Sequence, residues 1–337
     1  MPAKIKPAQG APYARVLGVG GYRPDRVVPN EEILKHIDSS DEWIRSRSGI
    51  TTRHWAGPDE TVTQMTLAAS GKALAAAGLA PEDVDAVVIS TVSHFKQTPS
   101  VATEIAHQLG AGKAAAFDIS AACAGFGYGL TIAKGLIVEG SARHVLVVGV
   151  ERLSDLTDLS DRSTAFLFGD GAGAAVLGPS QTPEIGPTIW GSEGDKHETI
   201  SQTVSWDIYR FTPAEQVGKF PAIRQEGQTV FRWAVYEMAK VAQQALDAAG
   251  LTAQELDVFI PHQANLRIID SMVKTLGLPE HVAVARDVET TGNTSAASIP
   301  LAMERMLATG QAKSGDTALV IGFGAGLVYA ATVVTLP

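Results

Sequence analysis

The second half of this chain repeats the first. Lys72-Ala-Leu-Ala-Ala-Ala-Gly-Leu-Ala-Pro-Glu-Asp-Val-Asp-Ala-Val-Val-Ile-Ser90 returns as Gln244-Ala-Leu-Asp-Ala-Ala-Gly-Leu-Thr-Ala-Gln-Glu-Leu-Asp-Val-Phe-Ile-Pro-His262, an offset of 172 in 337 residues. Each copy reads as a helix closed by a glycine, Gly78 or Gly250, then a short acidic turn, then a buried strand. Two further pairs follow in the same order. Ala116-Phe-Asp-Ile119 matches Ala285-Arg-Asp-Val288 at an offset of 169, and Leu146-Val-Val-Gly149 matches Leu319-Val-Ile-Gly322 at 173. Alanine-rich helices and valine-rich strands look alike by chance, but chance does not keep both order and spacing, which favours duplication.

A duplicated series of helices and apolar strands restricts the chain to the α/β class. Largely parallel sheets covered by helices are expected, with the two halves packed face to face. The Pro/Gly-rich stretch Gly178-Pro-Ser-Gln-Thr-Pro-Glu-Ile-Gly-Pro187 is the natural seam, dividing residues 1–183 from 184–337. The polar segment from about Gly194 to Gln228 reads as an insertion. Its Trp206, Tyr209, Phe211 and Phe220 mark it as a cap that packs.

Composition removes several function classes. With 45% hydrophobic and 19% charged residues the chain can bury a large core, and a net charge of −9 without basic runs argues against nucleic-acid binding. One cysteine cannot form an internal disulfide, and Met1-Pro-Ala-Lys-Ile-Lys-Pro7 lacks the apolar core of a signal peptide, so a cytoplasmic protein is expected. The uncharged stretch Ala318 to Leu336 imitates a membrane span, but Gly322, Gly324 and Gly326 divide it into two buried strands; no membrane association is expected. The histidines His36, His54, His94, His107, His144, His197 and His281 show no metal-ligand spacing, and no metal is expected.

The single cysteine is Cys123, in Asp118-Ile-Ser-Ala-Ala-Cys-Ala-Gly-Phe-Gly-Tyr-Gly129, where a strand gives way to a helix. Ala124, Gly125, Gly127 and Gly129 allow a backbone or a substrate to approach closely. A thiol at a helix N-terminus meets unpaired N–H groups and the positive end of the dipole, which favour thiolate. A lone free cysteine is more often a small buried hydrophobe. His262, after the strand Leu256 to Ile260, and Asn293, after a strand ending near Val288, change that balance. All three follow strand C-terminal ends, where open α/β sheets place ligands, so one pocket can hold them together.

Three segments carry a specific resemblance. Ala122-Cys-Ala-Gly-Phe126, Pro261-His-Gln-Ala-Asn-Leu-Arg-Ile268 and Gly292-Asn-Thr-Ser-Ala-Ala-Ser-Ile-Pro300 resemble the Cys, His and Asn motifs of 3-ketoacyl-acyl carrier protein synthase III, in family order. The likeness runs from Arg15-Val-Leu-Gly-Val-Gly-Gly-Tyr-Arg-Pro24 to the C-terminus. It implies the five-layered αβαβα thiolase-type fold, a homodimer, and the condensation that starts bacterial fatty acid synthesis. Cys123 would take an acyl group from acyl-CoA, a role suited to a thiolate, which is both nucleophile and leaving group. Malonyl-acyl carrier protein would then lose CO2, and its enolate would attack the acyl-Cys, with His262 and Asn293 donating N–H to the enolate oxygen. The acylation oxyanion would meet the backbone N–H of Cys123 and of Ala325, where family members often carry glycine. No cofactor is implied beyond acyl-CoA as substrate.

The resemblance also assigns the carriers. Trp43 and Arg47, in Asp41-Glu-Trp-Ile-Arg-Ser-Arg-Ser-Gly-Ile50, would stack on the adenine and pair with phosphate, with Arg162 on the adenine's other side. Gly227, Phe231 and Asn265 match positions lining the pantetheine tunnel. Gln263, Arg232, Arg267 and Lys274 would meet the acidic carrier protein through a local basic patch. Thr98, before Pro99, stands where the family places a residue that crosses the dimer interface and closes the acyl pocket, to which Phe323 is also assigned. A threonine where others carry phenylalanine implies room for branched primers. Gly169-Asp-Gly-Ala-Gly173 fits neither a Rossmann nor a P-loop spacing and reads as a close-packed strand start. Three alternatives stay open: a type III polyketide synthase, an acyltransferase to alcohols or amines on the same fold, and a non-catalytic tunnel-shaping subunit.

Overall fold

The computed structural model describes residues 4–213, 215, 216 and 218–337. The first three residues of the N-terminal stretch considered above, and positions 214 and 217 of the expected cap, lie outside them. Strands β1 (Tyr13–Tyr22), β2 (Ala86–Ser90), β3 (Ala115–Ile119), β4 (Val145–Arg152) and β5 (Asp170–Ser180) form one sheet in the order β1-β5-β4-β2-β3. Strands β6 (Ile189–Ser192), β7 (Val258–Pro261), β8 (Ala283–Val284), β9 (Thr317–Gly324) and β10 (Val328–Thr335) form the other, in the order β6-β10-β9-β7-β8. The second order is the first repeated strand for strand.

Both sheets are mixed, a correction to the largely parallel sheets expected. Three strands of each run parallel, and the other two pair antiparallel. The cause lies in the connections. The glycine turn between β9 and β10 is too short for a crossover, and only irregular turns join β4 to β5, so each chain returns antiparallel.

The repeated segments fold as the repetition implies. Helices α1 (Val62–Ala77) and α4 (Gly227–Ala249) both end on a left-handed glycine, Gly78 at φ +65° and Gly250 at φ +71°. A 3-10 turn follows each, then β2 or β7. One detail differs. Ala86 pairs with Ala115 where Val258 pairs with Ala283, so the third strands correspond at an offset of 168, and β8 stops at Val284. Residues Val288–Thr291 are a helical turn, so Asn293 does not follow a strand. The Gln263 side chain ends the strand by bonding the Ala285 carbonyl and the Val288 N–H, groups a longer ladder would use.

Five layers result. Helices α1 and α2 (Val101–Leu109) cover the outer face of the first sheet, and α4 with α5 (Leu266–Leu276) cover that of the second. Between the sheets lie α3 (Gly125–Glu139) and α6 (Ser298–Thr309), whose Phe126, Leu130, Ile299 and Met303 share one core with strands of both sheets. The inserted segment adds a two-stranded ribbon, Ile200–Gln202 with Ile223–Gln225, and a short helix, Trp206–Phe211. Trp206, Tyr209 and Phe220 pack on each other and on Phe95 from the first half, with ring centroids 5.3–6.5 Å apart. No helix among the described residues is long and apolar enough to cross a membrane.

Candidate active site

The duplication brings two equivalent turns together at the centre. Cys123 lies in the 3-10 turn Ala122–Ala124 that opens α3, and its counterpart is the turn Ser295–Ala297 that opens α6, 173 residues later. Both turns begin on a non-glycine residue in the left-handed region, Ala122 at φ +42° and Ser295 at φ +47°. Such backbone costs on the order of 1–3 kcal/mol and concentrates at functional sites. Strand β9 presses on the first turn so closely that a Cβ on Gly324 would lie 2.9 Å from the Cys123 Sγ. Glycine is required there by space, not by dihedral.

The thiol opens onto a cavity of about 670 Å³ that is also lined by His262, Asn293, Ser295, Phe323 and Ala325. The three residues singled out in the sequence therefore share one pocket. Cys123 does not rest in the environment expected. Burial pushes its thiol up to about 12, and the Glu151 charge acts in the same direction. The Ser295 hydroxyl and the cysteine's own N–H act the other way without prevailing. Desolvation by the surrounding protein is the largest influence on the thiol and outweighs those hydrogen bonds. The resting group is a thiol.

His262 is buried, and desolvation takes its pKa down to about 3, so it is neutral at physiological pH. Its Nδ1 lies 2.7 Å from the Ser298 Oγ, which already accepts the Gln263 N–H. With that hydroxyl proton directed at Nδ1, the ring proton resides on Nε2, leaving an N–H for the cavity. Asn293 is set in a similar way. Its Oδ1 accepts the Ser295 N–H at 2.9 Å, which leaves Nδ2 as the amide's outward group. Both side chains are N–H donors by virtue of their neighbours.

The remaining expected residues divide. Trp43 is half-buried, edge-on to Phe166, and the Arg162 guanidinium lies 4.9 Å over its ring with Arg47 at 5.9 Å. Arg162 thus covers the indole face itself. Asn265 caps α5 and donates to the Arg47 carbonyl at 2.9 Å, tying the Trp43 helix to the second half. Gly227 and Phe231 do not line the cavity, although Val230 and Trp233 of the same helix do. Arg232, Arg267 and Lys274 are exposed, Arg267 lying 4.8 Å over the Phe231 ring. Gln263 is not a docking residue. It is 1% exposed, and its amide is consumed by Pro261, Ala285 and Val288. Thr98 is exposed and outside the cavity lining of a single chain, whereas Phe323 is buried against His262 and Trp233. Gly169 and Gly173 are close-packed, as expected: a Cβ there would meet the Thr291 carbonyl at 2.3 Å and Pro300 at 2.6 Å.

Ser298, Ser295 and Glu151 escaped the sequence reading. The first two were within reach, because extending the repeat at offset 173 aligns Ala122-Cys-Ala-Gly125 with Ser295-Ala-Ala-Ser298. Glu151 carries no such signal, since a glutamate ending a strand looks like a surface residue.

A cysteine, a neutral histidine and an asparagine converging on one cavity between two duplicated α/β halves define an acyltransferase of the thiolase type. Family models of 3-oxoacyl-acyl-carrier-protein (ACP) synthase III and of its C-terminal region match residues 117–194 and 246–336. The chain is 77% identical to beta-ketoacyl-acyl-carrier-protein synthase III 1 of Streptomyces coelicolor, over 99% of this chain and all of that one. It is 78% identical to the synthase III of Streptomyces glaucescens over the same shares. Among solved structures, a priming beta-ketosynthase of a polyketide biosynthetic pathway superposes with a TM-score of 0.95 at 50% identity, covering 100% of this chain and 99% of that one. The 3-oxoacyl-acyl-carrier-protein synthase III of Aquifex aeolicus gives 0.87 at 39%, covering 96% and 99%. The chain belongs to the beta-ketoacyl-acyl-carrier-protein synthase III family.

Proposed function

We propose that this protein condenses an acyl-CoA primer with malonyl-acyl carrier protein, releasing CoA and CO2 and giving a 3-ketoacyl-acyl carrier protein, the first carbon–carbon bond of fatty acid synthesis. Cys123 attacks the thioester and holds the acyl group, with the oxyanion facing the N–H groups of Cys123 and Ala325. Malonyl-acyl carrier protein then loses CO2, and the enolate oxygen accepts from His262 Nε2 and Asn293 Nδ2 while its carbon attacks the acyl-Cys. The observation carrying this reading is the pair of fixed N–H donors on the thiol's cavity. A histidine with a pKa of about 3 is too weak a base to lead with proton removal, but it is a sound neutral donor.

Trp43, Arg47 and Arg162 hold the nucleotide end of CoA. Arg232, Arg267 and Lys274 form the basic patch for an acidic carrier protein, which a chain of net charge −9 needs locally. Two chains associate, with Thr98 of one closing the acyl pocket of the other. Phe95 is engaged by Trp206 and Phe220 and absent from the cavity lining, which favours a pocket open to branched short primers such as isobutyryl-CoA. Intact-mass analysis after incubation with acetyl- and isobutyryl-CoA, then malonyl-acyl carrier protein, tests the whole scheme. One acyl group on Cys123, discharged as 3-ketoacyl product, is expected, and Cys123→Ser abolishes both. His262→Ala and Asn293→Ala are expected to lower condensation by roughly 100–1,000-fold while Cys123 still acylates. Acylation elsewhere, or equal damage to both half-reactions, refutes the assignment.

A further inference from the structure

We propose that Arg23 and Arg305 are positioning residues for the condensation step: together they clamp the turn that leads into Asn293 onto α6, the helix that already orients His262. The inference rests on His262 and Asn293 as paired donors to the enolate and adds what that reading lacks, a means of keeping the two in register.

Asn293 follows a single helical turn, Val288–Thr291, and the junction Gly292, whose φ is +74°. One turn of helix does not hold itself, so its orientation comes from its neighbours. Arg23, the residue after β1, sends Nη2 to the Asp287 Oδ1 at 3.1 Å and Nε to the Thr291 Oγ1 at 3.3 Å. Arg305, on α6, pairs Nη1 with the same Asp287 oxygen at 2.7 Å and sends Nη2 to the same Thr291 oxygen at 3.2 Å. Each guanidinium therefore spans the turn, from the residue that precedes it to its last residue. Asp287 and Thr291 are both buried, and a planar fork suits two fixed acceptors of this kind.

Other bonds hold the segment elsewhere. The Glu289 and Thr290 carbonyls accept the Thr51 and Thr52 hydroxyls at 2.6 and 2.8 Å, and the Val288 N–H meets Gln263. The Asn293 backbone bonds Leu167 and Gly169 at 2.9 Å each. These fasten it to the first half and to the residue after His262. None of them reaches α6. The guanidiniums do: Arg305 belongs to that helix, and Arg23 also donates to its Leu301 carbonyl at 2.8 Å and its Glu304 carboxylate at 2.9 Å.

Helix α6 thus serves both donors. Ser298, its first residue, bonds His262, and Arg305, about two turns further on, grips the approach to Asn293. A shift of the turn against α6 would move the Asn293 amide relative to His262 and leave Cys123, on the turn that opens α3, in place. The enolate needs both N–H groups at one oxygen, whereas acyl loading uses neither. Charge gives no reason to read the cluster as a mere brace. Arg23 and Arg305 face Asp287 and Glu304, two against two, and a largely buried ion cluster returns little net stability after its desolvation.

The test separates the half-reactions in wild type, Arg23→Lys, Arg305→Lys and the double variant, each also in an Asn293→Ala background. Lysine keeps the charge against Asp287 but cannot bridge it to Thr291. Acyl loading is read by intact mass after addition of acetyl-CoA. Condensation is read from the loss of acyl mass when saturating malonyl-acyl carrier protein meets enzyme already acylated. Each lysine variant is expected to condense about 10- to 100-fold more slowly, since misplacing a reacting group by about 1 Å costs roughly 100-fold, and to load at close to the wild-type rate. With Asn293→Ala present, the same substitutions should cost condensation nothing further, because they act through the amide that is gone. A brace without a positioning role would slow both half-reactions alike, and its effect would persist without the amide; either result overturns the proposal. So does a double lysine variant that condenses within about threefold of wild type. If a lysine variant fails to fold, Thr291→Val, which removes the shared acceptor and no charge, decides by the same readings. Asn293→Ala that condenses at the wild-type rate sinks the donor assignment itself, a result distinct from any of these.

Discussion

Gly324→Ala is the sharpest test of how the nucleophile is held. The added Cβ would stand 2.9 Å from the Cys123 Sγ, 2.8 Å from its Cβ and 3.1 Å from its N. Carbon atoms are comfortable at roughly 3.5–4.0 Å, so the clash asks for a displacement of about 1 Å shared by the thiol and strand β9. The strand has little to give, being paired with β10 as far as Gly324 itself, with β7 as far as Ile321, and buried throughout its last residues. Most of the movement therefore falls on Cys123, whose own N–H is the oxyanion donor proposed above. A misplacement of about 1 Å in a reacting group costs on the order of 100-fold in rate. Overpacking of a full interior costs about 1–3 kcal/mol of stability. The assay is single-turnover acylation by acetyl-CoA beside a thermal melt, with ligand-free fluorescence to confirm folding. A folded variant with a slightly lowered Tm and acylation slowed roughly 100-fold is expected. Acylation at the wild-type rate would mean that the turn yields freely and that the close approach has no part in positioning the sulfur.

Other expectations follow from the same geometry. Ser298→Ala removes the group that fixes the His262 tautomer at 2.7 Å, so condensation should fall about 10- to 100-fold, the equivalent of about 1–3 kcal/mol for a buried partner lost, with Cys123 acylation intact; equal loss in both refutes it. Arg267→Glu should raise the KM for malonyl-acyl carrier protein at low salt and leave acylation by acyl-CoA unchanged, the difference shrinking at physiological salt, where charges more than about 8 Å apart are screened; unchanged carrier-protein kinetics remove the patch. His262 is held well below its unfolded pKa of 6.5, so the stability it secures is complete above that value and is lost as pH falls toward about 3, at up to about 1.4 kcal/mol per pH unit; urea melts of wild type and His262→Gln should diverge in slope across that window. Glu151 is raised, so the sign reverses: its stabilising contribution is full below about pH 4.5 and declines as pH rises through about 7, and Glu151→Gln should gain relative stability across that interval in the same melts.

Much of the architecture was readable because duplication leaves its trace in local pattern. The glycine caps Gly78 and Gly250, the turns after them and the strands β2 and β7 are short-range features, and a period near half the chain exposes them. Strand direction was not readable, because it depends on whether a connection crosses the sheet, and the irregular link from β4 to β5 has no periodicity to reveal that. Cys123, His262 and Asn293 were legible as motifs, but what sets their states was not. The thiol's raised pKa comes from burial and from Glu151, a residue 28 positions away on another element. Gln263 shows the opposite error. Its place beside His262 in a motif suggested contact with a partner, whereas its amide closes the end of β8 from within.

The two facing turns impose a condition on how such a site can arise. Ala122 and Ser295 hold the same unusual backbone, and their successors are Cys123 in one half and Ala296 in the other. A pair of identical, unlinked halves would carry the same residue at both places: two thiols at one centre, or none. Only when both copies lie on one chain can a change in one leave its twin untouched. The thiol and the Ser295 hydroxyl that shares its cavity are therefore a product of fusion as much as of folding, and symmetry had to be broken in the gene before chemistry could be divided in the cleft.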